Sequence, residues 1–287
     1  MNTFHDAEQM ERHVREDGIR QAVRERYGTI AQGNGCGCGS GCGENSAVAS
    51  NVISVSLGYK PEDVAAVPDG ANMGLGCGNP QVIAGLAAGE TALDLGSGGG
   101  FDCFLASRQV GETGKVIGVD MTPEMISKAR ANAAKGNYHN VDFRLGEIEN
   151  LPVADNSVDC IISNCVINLS PNKHRVFSEA YRVLKPGGRL AISDIVATAV
   201  PPEDVRQNIE MFTGCVAGAS LLSEIEEILA AAGFVGIQIT PKSTSRAFIS
   251  DWVPGTDVAD YVVSANIEAS KPGADRSASF AKALPLT

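Results

Sequence analysis

The residues best suited to chemistry in this 287-residue chain are its eight cysteines, and their settings fall into three kinds. Cys77 in "GLGCGNPQ", Cys165 in "SNCVINLS" and Cys215 in "FTGCVAG" each stand among small or polar residues that leave a sulfur bare. Cys36, Cys38 and Cys42 crowd into "CGCGSGC", a glycine-rich stretch that holds no regular element by itself. Cys103 lies on an apolar helix face and Cys160 lies mid-strand in "VDCIIS"; both read as small core hydrophobes. A thiolate is a nucleophile and a soft ligand. Glycines on either side of Cys77 remove neighbouring bulk and permit positive φ, while Pro80 reads as the first residue of a helix capped by Asn79. A bare thiol at such a turn points to something that binds it. The histidines (His5, His13, His139 and His174) are scattered among charged residues and read as surface groups, and Met73 reads as packing.

Composition narrows the classes. The chain is 44% hydrophobic and 20% charged, ordinary for a globular protein. It contains no run of roughly 18 apolar residues, so no membrane span is expected. The charged start "MNTFHDAEQMERHVREDG" has no apolar stretch of the kind a signal peptide needs, and a cytoplasmic location is expected. The net charge of −11, from 34 acidic and 23 basic residues, repels phosphate backbones and argues against nucleic acid as a partner. In a reducing compartment the cysteines point to catalysis or metal binding rather than to disulfide staples.

The elements that must position these sulfurs follow from the pattern. Residues 6–27 predict one or two helices, and the stretch before Cys77 predicts a loop and a short helix opened by Pro61. From residue 80 the order is helix (80–88), strand "TALDL", glycine loop, helix (101–110), strand "KVIGVD", and a helix with Thr122 as cap and Pro123 in its first turn. Strand "VDFRLG", strand "VDCIISN", helix "NKHRVFSEAYRVLKPGG" and strand "RLAISDIVA" follow. Such alternation predicts a doubly wound α/β domain with a parallel sheet covered on both faces. Beyond residue 200, "PPEDVRQNIEMF" and "LLSEIEEILAAAG" read as helices, "FVGIQITP" and "YVVSANIEASKP" as strands. The expected division is 1–75 (helices and a Gly/Cys-rich arm), 76–200 (α/β domain), 201–272 (completion of the sheet and a cover for the site) and 273–287 (a loose tail).

"LDLGSGGGFDCF" ends a strand and opens a helix, the place where such sheets bind ligands. A nicotinamide fingerprint would want a third glycine where Phe101 stands. The run from Asp94 through Gly96, Ser97, Gly98 and Gly100 resembles instead the loop of S-adenosylmethionine-dependent methyltransferases. Asp94 suits a ligand carrying an ammonium and a sulfonium. Asp120, closing the next strand and followed by Met121, can accept both ribose hydroxyls. "LGEIENLPV" resembles the segment lying along the adenine, with Glu147 and Ile148 as contacts. In this fold the end of the fourth strand faces the methyl donor, which puts Cys165 and Asn164 there.

Taken in order, "GANMGLGCGNP", "LDLGSGGGFDCF", "SNCVINL" and "GCVAG" resemble the arsenic(III) S-adenosylmethionine methyltransferase family, over nearly the whole chain. The resemblance implies a class I, Rossmann-like methyltransferase fold with an N-terminal helical and cysteine-rich extension. It implies methyl transfer to trivalent arsenic bound by Cys77, Cys165 and Cys215, with one of Cys36, Cys38 and Cys42 as a further family cysteine. "CGCGSGC" itself reads as a flexible arm of resolving or arsenic-shuttling thiols, or else as a zinc or copper site that lacks paired C-x-x-C units and nearby histidines. It implies arsenite and methylated trivalent arsenicals as substrates, S-adenosylmethionine as methyl donor, and a thiol reductant of thioredoxin or glutathione type. A monomer engaged in detoxification is expected. Trivalent arsenic is soft and prefers thiolates, and three sulfurs leave it one lone pair to attack a methyl group. The glycines beside Cys77 are expected to leave room for the metalloid and the incoming methyl. Two other readings are a methyltransferase of the same fold acting on a small organic molecule, and a thiol-rich arsenic- or metal-binding protein without activity.

Overall fold

The structure, a computed structural model, describes residues 3–33, 46–206, 208–252 and 257–273. Cys36, Cys38 and Cys42, and the tail expected over 273–287 apart from Gly273, lie outside the described residues. The chain opens with helix α1 (Thr3–Ala31), followed by α2 (Ser46–Ser56), α3 (Pro61–Ala65) and α4 (Gln81–Ala84). The regular part runs β1 (Thr91–Leu95), α5 (Phe101–Val110), β2 (Lys115–Asp120), α6 (Pro123–Gly136), β3 (Val141–Leu145), β4 (Val158–Asn164), α7 (Lys173–Val183) and β5 (Leu184–Ala197). Then come α8 (Glu203–Arg206), α9 (Ile209–Thr213), α10 (Leu222–Ala232), β6 (Val235–Lys242), α11 (Arg246–Trp252), α12 (Val258–Tyr261) and β7 (Val262–Ser270). No helix among the described residues is long and apolar enough to cross a membrane.

The seven strands form one sheet in the order β3-β2-β1-β4-β5-β7-β6. The first five are parallel, and β7 runs antiparallel between β5 and the edge strand β6. Side chains of a strand alternate between faces. Leu93, Leu95, Ile161 and Ile192 therefore enter one core with Val176 and Phe177 of α7 and Ile225 and Leu229 of α10. Their neighbours Ala92, Ile162 and Ala191 enter the other, with Phe104 of α5 and Ile126 and Ala129 of α6. Each fully buried Leu, Ile or Phe contributes roughly 1.5–3 kcal/mol of transfer free energy. The strand order reverses between β1 and β4, opening a crevice at the carboxyl ends of the strands.

Several elements differ from their sequence reading. Residues 46–56 form α2, whose Ala, Ser and Val content gave no helical signature. The helix expected over 80–88 is a single turn, because Gly85 takes φ 53° and ends it. The helix begins at Gln81 with Pro80 at its cap position, and Asn79, one residue before that cap, accepts the Gln81 N–H through its Oδ1 at 3.0 Å. "LKPGG" belongs to β5 rather than to α7, since Pro186 disfavours helix at Lys185 and the main chains of Gly187 and Gly188 pair with Lys271. Thr122 occupies the cap position of α6 without a side-chain bond; Asp120 accepts its N–H instead, at 2.8 Å. "PPEDVRQNIEMF" is two short helices, α8 and α9, not one.

Candidate active site

A cleft with about 1080 Å³ of empty space, its open mouth included, lies over the ends of β1, β2 and β4. The glycine loop forms its floor. Gly96, Gly98 and Gly100 take φ of 72°, 50° and 95°, a region that side chains rarely enter. A Cβ at Gly96 would also overlap the Val166 side chain. Asp94, Ser97, Asp120, Met121, Ile148 and Asn164 line the cleft with Gly96 and Gly98. Gly100 sits behind it as the start of α5, where a Cβ would meet Phe104 and Phe143 at 2.8 Å. Glu147 is not among the lining residues: it turns to α1 and pairs with Arg24 and, at 3.7 Å, with Arg20. Ile148 and Glu149 line the cleft beside it.

The cleft is acidic and buried at its base. Asp94, Asp102 and Asp120 are all buried or nearly so, and burial pushes all three carboxyls above their ordinary range. Asp94 is further raised by the neighbouring Asp102, while the Cys103 thiol donates to it at 3.2 Å. Cys103 is thus fully buried, as its sequence setting implied, yet it also satisfies a cleft carboxylate. Asp120 accepts the N–H groups of Gly98 and Thr122 at 2.9 and 2.8 Å, which holds the glycine loop against β2. Asp102 accepts the Tyr59 hydroxyl at 2.8 and 3.0 Å. The buried Ser97 hydroxyl has no partner among the described residues and lines the cleft. Buried carboxylates beside an unpartnered donor suit a ligand with cationic centres and polar rim groups.

The three bare cysteines lie in one cluster next to this cleft, though Cys215 is not in the group of donor atoms that lie within 4.8 Å of one another. Cys77, Cys165 and Cys215 belong to one buried cluster with Ile195, Val216 and Leu169. Cys165 lines the cleft, while Cys77 and Cys215 lie behind it. Cys77 and Cys165, 88 residues apart, are joined as a disulfide. Cys215 keeps its thiol, which donates to the Cys165 carbonyl at 2.9 Å. The Asp194 carboxylate lies with the Cys77 and Cys165 sulfurs in a group whose donor atoms are all within 4.8 Å of one another. Cys160 is buried in the second core under Ala84, and burial lifts its thiol to about 12.

Asn164 ties the cysteine turn to the cleft. Its Oδ1 accepts the Cys77 N–H at 3.0 Å, and its Nδ2 donates to Gly78 O at 2.9 Å and to the Tyr59 hydroxyl at 3.0 Å. The glycines beside Cys77 accommodate these neighbours rather than leaving open room. A Cβ at Gly76 would come within 2.6 Å of Asn164 Nδ2, and one at Gly78 within 2.9 Å of Ser193. Neither has positive φ; in this turn only Gly74 does, at 66°. Sequence reasoning missed Tyr59 and Asp102, whose contact spans 43 residues, and Arg20, Val23 and Tyr27 of α1, which line the cleft's outer side. Met73 lines it too, rather than only packing. The described histidines, His13, His139 and His174, are exposed.

The comparisons with known proteins agree with this geometry. Residues 86–233 match the family described as a methyltransferase domain. An arsenite methyltransferase of Halobacterium salinarum is 55% identical over 269 residues, covering 89% of this chain and 67% of that one. One from Aquipseudomonas alcaligenes is 38% identical, covering 75% of this chain and 62% of its own. The crystal structure of an arsenic(III) S-adenosylmethionine methyltransferase from Chlamydomonas reinhardtii superposes with a TM-score of 0.57 at 34% identity, covering 77% of this chain and 74% of that one. With identity of this degree over most of its length, the chain belongs to the arsenite methyltransferase family.

Proposed function

We propose that this protein methylates trivalent arsenic held by Cys77, Cys165 and Cys215, using S-adenosylmethionine bound in the adjoining cleft. The observation that carries the reading is the convergence of three cysteines, from three separate segments, at the edge of a methyl-donor crevice. Core packing alone does not account for the backbone there. Cys165 and Cys215 have φ of 56° and 65°, and the other non-glycine residues with positive φ among those described are Asn137 and Asn156. Asparagine tolerates that region; cysteine does so at a cost of about 1–3 kcal/mol, and such conformations cluster at functional sites.

The cleft suits the methyl donor. Asp94 and Asp102 would take its ammonium end, Asp120 its ribose hydroxyls, and Ile148 and Met121 the flanks of its adenine, with the unpartnered Ser97 hydroxyl offering a further polar contact. When bound, S-adenosylmethionine supplies a methyl group on a sulfonium, with a neutral thioether as leaving group. The chain's part is to present a nucleophile that needs no general base. Arsenite, As(OH)₃, condenses with three thiols, each thiol proton leaving with one arsenic hydroxyl as water. The resulting three-sulfur centre keeps one lone pair, and Cys165 brings it to the cleft wall. Alignment of this kind can supply roughly 7–11 kcal/mol of barrier reduction.

The Cys77–Cys165 disulfide supports the need for a thiol reductant. Neither sulfur can take arsenic until two external thiols have given the pair two electrons and two protons and left as their own disulfide. A thioredoxin- or glutathione-type donor fits this step. The direct test incubates the protein with arsenite, S-adenosylmethionine and a thiol, and identifies the arsenic species formed. Methylated arsenicals appearing only with all three present is the expected result. Methyl transfer to an organic acceptor with arsenic unchanged would favour the second reading, a small-molecule methyltransferase of the same fold.

A further inference from the structure

Cys215 sits in a left-handed conformation, φ 65°, which persists only where the surroundings impose it. They do so through a polar network beneath the two cysteine loops. Asn168, in the short turn after Cys165, is 1% exposed. Its Nδ2 donates to Asp194 Oδ1 at 2.9 Å and to Ile195 O at 2.6 Å, and reaches Cys215 O at 3.4 Å. Asp194 is itself fixed, accepting the N–H groups of Ile167 and Ile195 at 2.9 and 2.7 Å. The far end of the Cys215 loop is held as firmly. Gly218 lies so close to the Asn168 carbonyl that any Cβ would overlap it, and the Lys173 ammonium donates to Gly218 O at 2.6 Å. The charged groups facing that ammonium are Asp194 and Glu224, together with the Cys215 sulfur.

We infer that Asn168 and Lys173 are positioning residues that set the number of sulfurs arsenic receives: they hold Cys215 against Cys165, so that arsenite meets three thiolates rather than two. The inference rests on the arsenic reading above. Cys77 and Cys165 need no such help, since the Asn164 amide and the Cys165 N–H bond to Ser193 O, at 2.9 Å, bring them together. Cys215 is held within its own loop by its N–H bond to Phe212 O at 3.0 Å and by its thiol bond to the Cys165 carbonyl at 2.9 Å, and the network ties that loop to the rest of the fold through Asn168 and Lys173. Without Asn168 or Lys173 its loop relaxes toward right-handed backbone, its sulfur withdraws, and arsenic keeps one hydroxyl. A nucleophile misplaced by about 1 Å loses on the order of 100-fold in rate.

The test is X-ray absorption at the arsenic edge on the reduced full chain loaded with arsenite, for the wild type, Asn168→Ala and Lys173→Met. Three sulfur neighbours are expected in the wild type, and two sulfurs with one oxygen in each variant. Arsenite turnover should fall about 100-fold in the variants, while calorimetry shows S-adenosylmethionine binding within about twofold of wild type. Lys173→Arg, which keeps a donor for Gly218 O, should restore the third sulfur, as a merely space-filling role would not require. Lys173 is only partly buried, so its variants decide the matter even where Asn168→Ala fails to fold. Three sulfurs and ordinary turnover in Lys173→Met would overturn the inference. Fewer than three sulfurs in the wild type would overturn the arsenic reading itself.

Discussion

At the scale of single residues, this site is built by glycines and asparagines as much as by sulfur. Gly96 carries two constraints at once, a φ of 72° and a Cβ direction filled by Val166. Gly96→Ala should therefore cost about 1–3 kcal/mol in backbone strain alone, with further loss from the clash. Calorimetry should show S-adenosylmethionine binding weakened at least tenfold, partly regained in the double variant Gly96→Ala, Val166→Ala. Unchanged binding in the single variant would mean that the loop does not contact the ligand. The glycine spacing and the three cysteine settings were legible from sequence because both are local signals. The reason for the glycines beside Cys77 was not. Asn164 and Ser193, which fill the space, lie 87 and 116 residues away from that cysteine, and no local pattern announces such an approach.

At the scale of elements, α1 does the least expected work. Its alternating charges read correctly as helix, but most of its surface is exposed and its periodicity names no partner. The structure lays its C-terminal half over the cleft. Val23 is 2% exposed, Ile30 packs on Met125 of α6, and Arg20 and Arg24 reach Glu147 in the loop after β3. The Arg24–Glu147 pair is about a third exposed on both sides, and pairs open to solvent to that degree contribute little, about 0–1 kcal/mol. The apolar contact of Val23 and Tyr27 therefore carries the closure. Val23→Asp should lift α1 from the cleft and weaken S-adenosylmethionine binding by about tenfold, or roughly 1.4 kcal/mol, whereas Arg24→Ala should change it less than threefold. Equal effects of the two would show that charge, not apolar cover, holds the helix down. The alternation of strands and helices from β1 to β5 was readable throughout. Its errors fell at element ends, such as Gly85 and Pro186, where one residue's backbone preference outweighs the side-chain pattern.

At the scale of the whole molecule, the chain's net charge of −11 goes with a cleft lined by the buried carboxyls of Asp94 and Asp102 and by Asp120. Burial raises Asp94, Asp102 and Asp120, and lifts Asp194 to about 6. Between the ordinary carboxylate value near ~4 and these raised values, the folded chain keeps protons that the unfolded chain has lost. Stability of the free protein should therefore fall as pH rises across that window. A cationic ligand favours the ionised carboxylates, so S-adenosylmethionine should bind more tightly as pH rises through it and should release protons. Calorimetry in buffers of different ionisation heat measures this; proton uptake on binding would contradict it. The central claim is tested most directly by arsenic speciation after reaction of Cys77→Ser, Cys165→Ser and Cys215→Ser with arsenite and with trivalent methylarsenic. Serine keeps the size and replaces a soft sulfur by a hard oxygen. Methylarsenic has one valence filled by carbon and can take only two thiolates, which the account assigns to Cys165 and Cys215. Those two variants should lose methylation of both substrates, and Cys77→Ser should lose it for arsenite alone, with S-adenosylmethionine binding intact in all three. Methylation of arsenite by Cys165→Ser at the wild-type rate would contradict the three-sulfur site.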